Sequence, residues 1–197
     1  MPDSTPSQIT LSFADGEDLA LPDARPHWRL GRLVRRIALW REKQLIRSAL
    51  ELASDPTLVL DLSRITGLYW PVLAEHPDRV IIAAADCPAL AEAGLLRRPL
   101  SQRKRIRVLQ ADASALDLPD GAVDCVFCAQ PMGGGSRRAA FLRELHRVTR
   151  DSVIVVLGAG NFVPFRQDAA EAGFGLLGRF DFLPLRSAWR IAVLRKT

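Results

Sequence analysis

The chain has 197 residues, of which 48% are hydrophobic and 25% charged, with a formal net charge of +5; these proportions suit a globular domain that buries one core without disulfides or metals. No apolar run approaches the roughly 20 residues of a membrane-spanning helix, and three cysteines in no evident framework suit a reducing compartment, so the reading is cytoplasmic. Of 27 basic residues only Lys43, Lys104 and Lys196 are lysines, a bias that fits either a phosphate-rich partner or codon composition.

Residues 1–27 hold four of the thirteen prolines and read as an extended arm, without the basic start and apolar centre of a secretory signal. Residues 28–197 read as a single domain, in which 28–53 form a helix and 57–197 an α/β core. In the helix, Leu30, Leu33, Ile37, Trp40, Leu45, Ala49 and Leu52 recur mostly at helical spacing. That stripe is expected to pack on a sheet or cover a cleft; lying on a membrane surface is the alternative. Asp55-Pro56 ends the helix.

Strands and helices then alternate. Strands are expected at 57–62, 79–85, 106–111, 122–129 and 152–157, and helices at 68–76, 88–97 and 137–150. Strands that are apolar on both faces and separated by helices predict a parallel sheet covered on both sides. The tail departs from this rhythm. A short helix at 167–172 ends at Gly173, and 174–182 and 188–194 follow as a pair of strands with no helix between them.

Three carboxylates fall at predicted strand ends: Asp61, Asp86 and Asp112. They line the carboxyl edge of the sheet, where doubly wound folds bind ligands. Asp86 lies about 20 residues beyond Gly67, the distance at which such an acid can accept both ribose hydroxyls. Asp112 stands where a carboxylate can accept from an adenine amino group.

At this point Val59–Gly67 (VLDLSRITG), Ala85–Leu90 (ADCPAL), the turn from Gln110 into the fourth strand, Phe141–Val148 (FLRELHRV) and Ala172–Phe174 stand in the order of the class I S-adenosylmethionine-dependent methyltransferases. The chain resembles them, nearest the ubiquinone/menaquinone-biosynthesis type, from about Leu58 to Lys196. The resemblance implies a doubly wound, mainly parallel seven-stranded sheet of order 3-2-1-4-5-7-6, with only strand seven antiparallel and an added N-terminal helix. Right-handed crossovers leave few other arrangements. It also implies S-adenosylmethionine as cofactor, held by Asp61, Ser63, Arg64, Gly67, Asp86, Asp112, Ala113 and Gln130. Asp86 would take the ribose, Asp112 and the Ala113 amide the adenine, and Asp61 with the Ser63–Gly67 loop the amino-acid end. Gln130 to Met132 and Asn161 would meet the acceptor.

The sequence departs from the family at its first turn, where Ser63 and Ile65 stand at positions usually held by glycine. Glycines there admit positive φ and close approach of backbone amides. Either the loop has shifted, with Arg64 taking the cofactor carboxylate, or the site is closed. The expected function is methyl transfer to a small-molecule or lipid-like acceptor. The alternatives are a degenerate fold acting as a binding or scaffold protein and, third, an RNA-modifying enzyme.

Other motifs carry less. Cys125 and Cys128, three apart on a strand, point to opposite faces and read as core fillers rather than metal ligands. Arg97-Arg98 and Arg103-Lys104-Arg105 are placed in a loop on the amino edge, as a solvated face rather than a nucleic-acid patch. Gly133–Gly135 is a lid or a plain connector. No His, Cys or Tyr marks a general base, and His146 reads as a helix-surface or capping residue.

Overall fold

The computed structural model describes residues 32–63, 67–85, 87–113, 115–129, 136–182 and 189–197. Helix α1 (Arg32–Leu52) leads into strand β1 (Leu58–Asp61), followed by α2 (Trp70–Leu73), β2 (Val80–Ala85), α3 (Pro88–Leu96), α4 (Leu100–Arg103) and β3 (Ile106–Gln110). Strand β4 (Val123–Ala129), α5 (Ser136–Val148), β5 (Thr149–Gly158), α6 (Phe162–Glu171), β6 (Phe174–Asp181) and β7 (Trp189–Lys196) complete it. The sheet order is β3-β2-β1-β4-β5-β7-β6. β1, β2, β3, β4 and β5 pair in parallel, while β7 runs antiparallel to both β5 and β6. The expected order and the single antiparallel strand are both present.

Alternating side chains of the central strands feed two cores. Val59, Ile81, Cys125, Phe127 and Ile154 face Ile46, Ala49, Leu50, Trp70 and Leu73 of α1 and α2. Leu60, Val126, Cys128, Val153 and Val155 face Leu142 and Leu145 of α5 and Phe165 of α6. Each large side chain so enclosed contributes roughly 1.5–3 kcal/mol relative to leaving it in water. Two layers of helix around a two-faced sheet are the consequence. Cys125 and Cys128 do lie in different cores, and burial pushes both thiols well above their ordinary range.

The structure adds what the pattern did not give. Helix α6 begins at Phe162 rather than 167, with Phe162, Phe165 and Ala169 buried. Pro164 masked that start, yet in a first turn the missing N–H leaves no helical bond unmade. Residues 100–103 form the extra helical turn α4 where a loop was expected. Within the same basic run Arg105 is turned inward: its guanidinium donates to the carbonyls of Ala74 at 2.9 Å, Arg79 at 3.3 Å and His76. Arg79, itself buried, donates to the carbonyls of Pro56 at 2.7 Å and Leu73 at 3.0 Å. Two arginines thus close the amino ends of β1, β2 and β3 by satisfying carbonyls that loops leave unpaired. The 1–27 arm lies outside the described residues. No helix among the described residues is long and apolar enough to cross a membrane.

Candidate functional site

The parallel register brings the carboxyl ends of β1 to β4 to one edge: Asp61 stands beside Ala83 of β2 and Phe127 of β4, and Ala85 beside Gln110 of β3. Asp61, Ser63, Gly67, Asp112 and Ala113 are the predicted site residues that the structure describes on this edge. Arg64, Ile65, Asp86, Gln130 and Gly133–Gly135 lie outside the described residues.

Asp61 is turned into the protein. It is 1% exposed; its Oδ1 accepts the Ser63 amide at 2.9 Å and its Oδ2 accepts the Trp70 indole Nε1–H at 3.0 Å. Burial raises its carboxyl to about 6, against the lowering effect of the Ser63 and Trp70 hydrogen bonds. Ser63 is committed as well. Its Oγ accepts the Ala129 amide at 3.3 Å, and the Leu62 amide donates to the Phe127 carbonyl at 2.9 Å, so the chain stays tied to β4 beyond the end of β1. Both Asp61 oxygens thus bond groups of their own loop and help to shape it, and the Ser63 amide serves the same purpose. The cause is Trp70, whose fully buried ring brings a donor to the strand end.

Gly67 closes this loop at φ 84°, in the left-handed region that glycine enters without cost. A Cβ there would lie 3.2 Å from the Trp70 ring. Arg98 reaches back from beyond α3 to donate to the Gly67 carbonyl at 2.7 Å. On the other side Tyr69 packs edge-on against Phe127, with ring centroids 5.2 Å apart, and its hydroxyl donates to Glu42 of α1 at 2.9 Å. The loop is thus braced from β4, α1 and α3.

The second described part of the edge follows β3. Asp112 is exposed, and its carbonyl accepts the Ala115 amide at 3.1 Å, which closes a turn beside the half-buried Ala113. The turn is held from behind by α5. Glu144 accepts the Leu116 amide at 2.8 Å, and Arg147 donates to the carbonyls of Leu116 at 2.9 Å and Leu118 at 2.6 Å and to Asp120 at 2.9 Å. The Arg147 guanidinium also holds the Glu144 carboxyl below its usual range. Beyond β5, Asn161 is exposed at the start of α6, where Arg179 and Arg190 sit 5.6 and 5.4 Å from the Phe162 ring centroid with Asp181 paired to both. His146 is elsewhere, at the far end of α5 against Phe174, with ring centroids 5.3 Å apart, and burial lowers its imidazolium pKa.

Sequence reasoning missed Trp70, Tyr69, Glu42 and Arg98 as supports of the first loop, and Glu144 with Arg147 as supports of the second. Only the last pair left a local signal, the i, i+3 spacing of an acid and an arginine on one helix.

A family model described as a methyltransferase domain matches residues 60–157. A demethylmenaquinone methyltransferase of Thermus thermophilus is 34% identical over 109 residues, which are 55% of this chain and 48% of that protein. The chain thus spans about half the length of that relative. Among solved structures, the [4+2]-cyclase SpnF superposes with a TM-score of 0.63 at 18% identity, over 78% of this chain and 80% of that one. The magnesium protoporphyrin IX methyltransferase of Synechocystis, solved with bound SAM, superposes with a TM-score of 0.61 at 14% identity, over 85% of each chain.

Proposed function

The chain belongs to the class I S-adenosylmethionine-dependent methyltransferase family, and from that premise we propose that it transfers a methyl group from S-adenosylmethionine to a small-molecule or lipid-like acceptor. The observation that carries the reading is the carboxyl edge itself: a first loop fixed by the Asp61–Trp70 clamp and Gly67, beside a turn that presents Asp112 outward. The donor set fits the cofactor. An exposed carboxylate with a backbone amide next to it suits an adenine edge, and a positive-φ glycine suits a close-lying backbone contact.

In this reading Asp112 and the Ala113 amide orient the adenine and Asp86 takes the ribose. Arg64 and the backbone near Gly67 hold the amino-acid end, and Gln130 adds a contact from the end of β4. Asp61 and Ser63 act by holding the loop. When bound, S-adenosylmethionine supplies an electrophilic methyl group on a sulfonium. The chain's own part is to place the acceptor in line with it and exclude water, which can account for the rate without a dedicated base. Asn161, with the Arg179–Asp181–Arg190 group beside it, is the described region from which acceptor contacts would come. The location we infer is the cytoplasm.

Nothing favours the scaffold reading enough to displace this one, because the first loop is braced from β4, α1 and α3. RNA modification is opposed by the position of Arg103 and Lys104 at the amino edge, away from the site. The test is formation of S-adenosylhomocysteine by the purified chain, with demethylated isoprenoid quinones as the first acceptors. Acceptor-dependent product supports the proposal. Tight cofactor binding without product from these or from other small phenols, amines and carboxylates would overturn the enzymatic reading and favour the scaffold.

A further inference from the structure

We propose that the end of the molecule formed by α3, α4 and β3 docks on an anionic lipid bilayer. The segment Pro88–Arg107 contains six basic residues, Arg97, Arg98, Arg103, Lys104, Arg105 and Arg107, against the single acid Glu92, so it carries the whole of the chain's net charge of +5. None of the six makes an ion pair among the described residues; Arg98 and Arg105 bond only carbonyls. No carboxylate among the described residues pairs with them.

The same surface is apolar at its centre. Leu96 and Leu100 are 64% and 67% exposed, and both line an open groove of about 440 Å3 with Arg103, Lys104 and Arg107, Glu92 being the one acid in its wall. Among the described residues β3 is the outermost strand on this side. Exposed leucines rimmed by basic side chains are the pattern of an interfacial membrane contact: the apolar groups enter the headgroup region while arginine and lysine meet lipid phosphates. A nucleic acid would use the charge but not the leucines, and Pro88–Arg107 contains no aromatic residue on which a base could stack. The charge complementarity therefore selects an anionic bilayer as the occupant. This surface is distinct from the carboxyl-edge site, and the proposal stands or falls independently of methyl transfer.

The test is flotation of the full chain with vesicles of phosphatidylcholine alone and of phosphatidylcholine mixed with phosphatidylserine, at low and high salt. Binding to the mixed vesicles only, weakened by salt, is expected. Arg103→Gln/Lys104→Gln/Arg107→Gln should lower the partition coefficient at least tenfold, since each basic residue near an anionic leaflet is worth about fivefold. Leu96→Ser/Leu100→Ser should lower it about tenfold while leaving the salt dependence in place. Leu96, Leu100, Lys104 and Arg107 are exposed and Arg103 is half-buried, and unchanged circular dichroism melting confirms that each variant folds. Arg36→Gln/Arg41→Gln/Lys43→Gln on α1 removes the same charge elsewhere and should bind as wild type. The proposal is overturned if the wild type ignores anionic vesicles, or if the α1 variant loses binding as much as the groove variant. It is also overturned if the groove charges prove to serve RNA affinity in a filter titration while vesicle binding is absent.

Discussion

Two acids close equivalent strands on the same edge of the sheet, and the fold uses them in opposite ways. Asp61, at the end of β1, is withdrawn from solvent, with its oxygens engaged by the Ser63 amide and the Trp70 indole. Asp112, just beyond β3, stays exposed while its turn is held from behind by Glu144 and Arg147. The difference lies in which group braces the loop. At the first loop the strand-end carboxylate is itself the brace; at the second a neighbouring helix supplies the brace and the acid stays exposed. A carboxylate at a strand end is therefore a candidate ligand only after its own neighbours have been accounted for.

The comparison can be broken most severely at Trp70. Trp70→Ala removes a fully buried ring and leaves Asp61 buried without its indole donor, and we expect about 3–5 kcal/mol of destabilisation in chemical denaturation. A loss under about 1 kcal/mol would mean that the ring is not the support of the first loop.

The second effect is on pH dependence. Burial raises the Asp61 carboxyl to about 6 from an ordinary 3.8, so the folded chain keeps this proton to higher pH than the unfolded chain does. Its contribution to stability is fully present below about pH 4 and is lost as pH rises to about 6, by roughly 3 kcal/mol as an order of magnitude. Asp61→Asn should remove that slope, measured as the difference between the two proteins' urea midpoints across this range. A wild-type contribution that instead grows between pH 4 and 6 would contradict the buried, internally bonded carboxyl.

At the other loop the expected effects fall on binding rather than folding. Glu144→Gln weakens the acceptor of the Leu116 amide and the partner of Arg147, and should raise the cofactor dissociation constant about three- to tenfold, as one charge-assisted contact would. Titration calorimetry reads it; an unchanged constant would show that this brace does not position the adenine side.

Much of this arrangement is legible in the residues themselves. Two-faced apolar runs such as 123–129 identify interior parallel strands, and the change from alternating helices to paired strands after Gly173 identifies the antiparallel end of the sheet. The carboxylates at strand ends were equally visible. Their division of labour was not, because Asp61 meets a side chain from the far end of its own loop, and nothing in the period of the pattern tells which way an indole nine positions on will turn. Arg98 and Arg105 escaped for a related reason. A run of arginines reads as a solvated face, yet each of these reaches carbonyls about 30 positions earlier in the chain, and only the fold brings those together.

The central claim is that this edge binds S-adenosylmethionine through the outward acid while the inward one holds the loop. Calorimetric titration of the cofactor into the wild type and Asp112→Ala tests it most directly. Saturable binding by the wild type is predicted, weakened about tenfold or more in Asp112→Ala, with the variant's denaturation midpoint close to the parent's because the side chain is exposed. No binding by a folded wild type at millimolar cofactor, or identical dissociation constants for the two proteins, would contradict it.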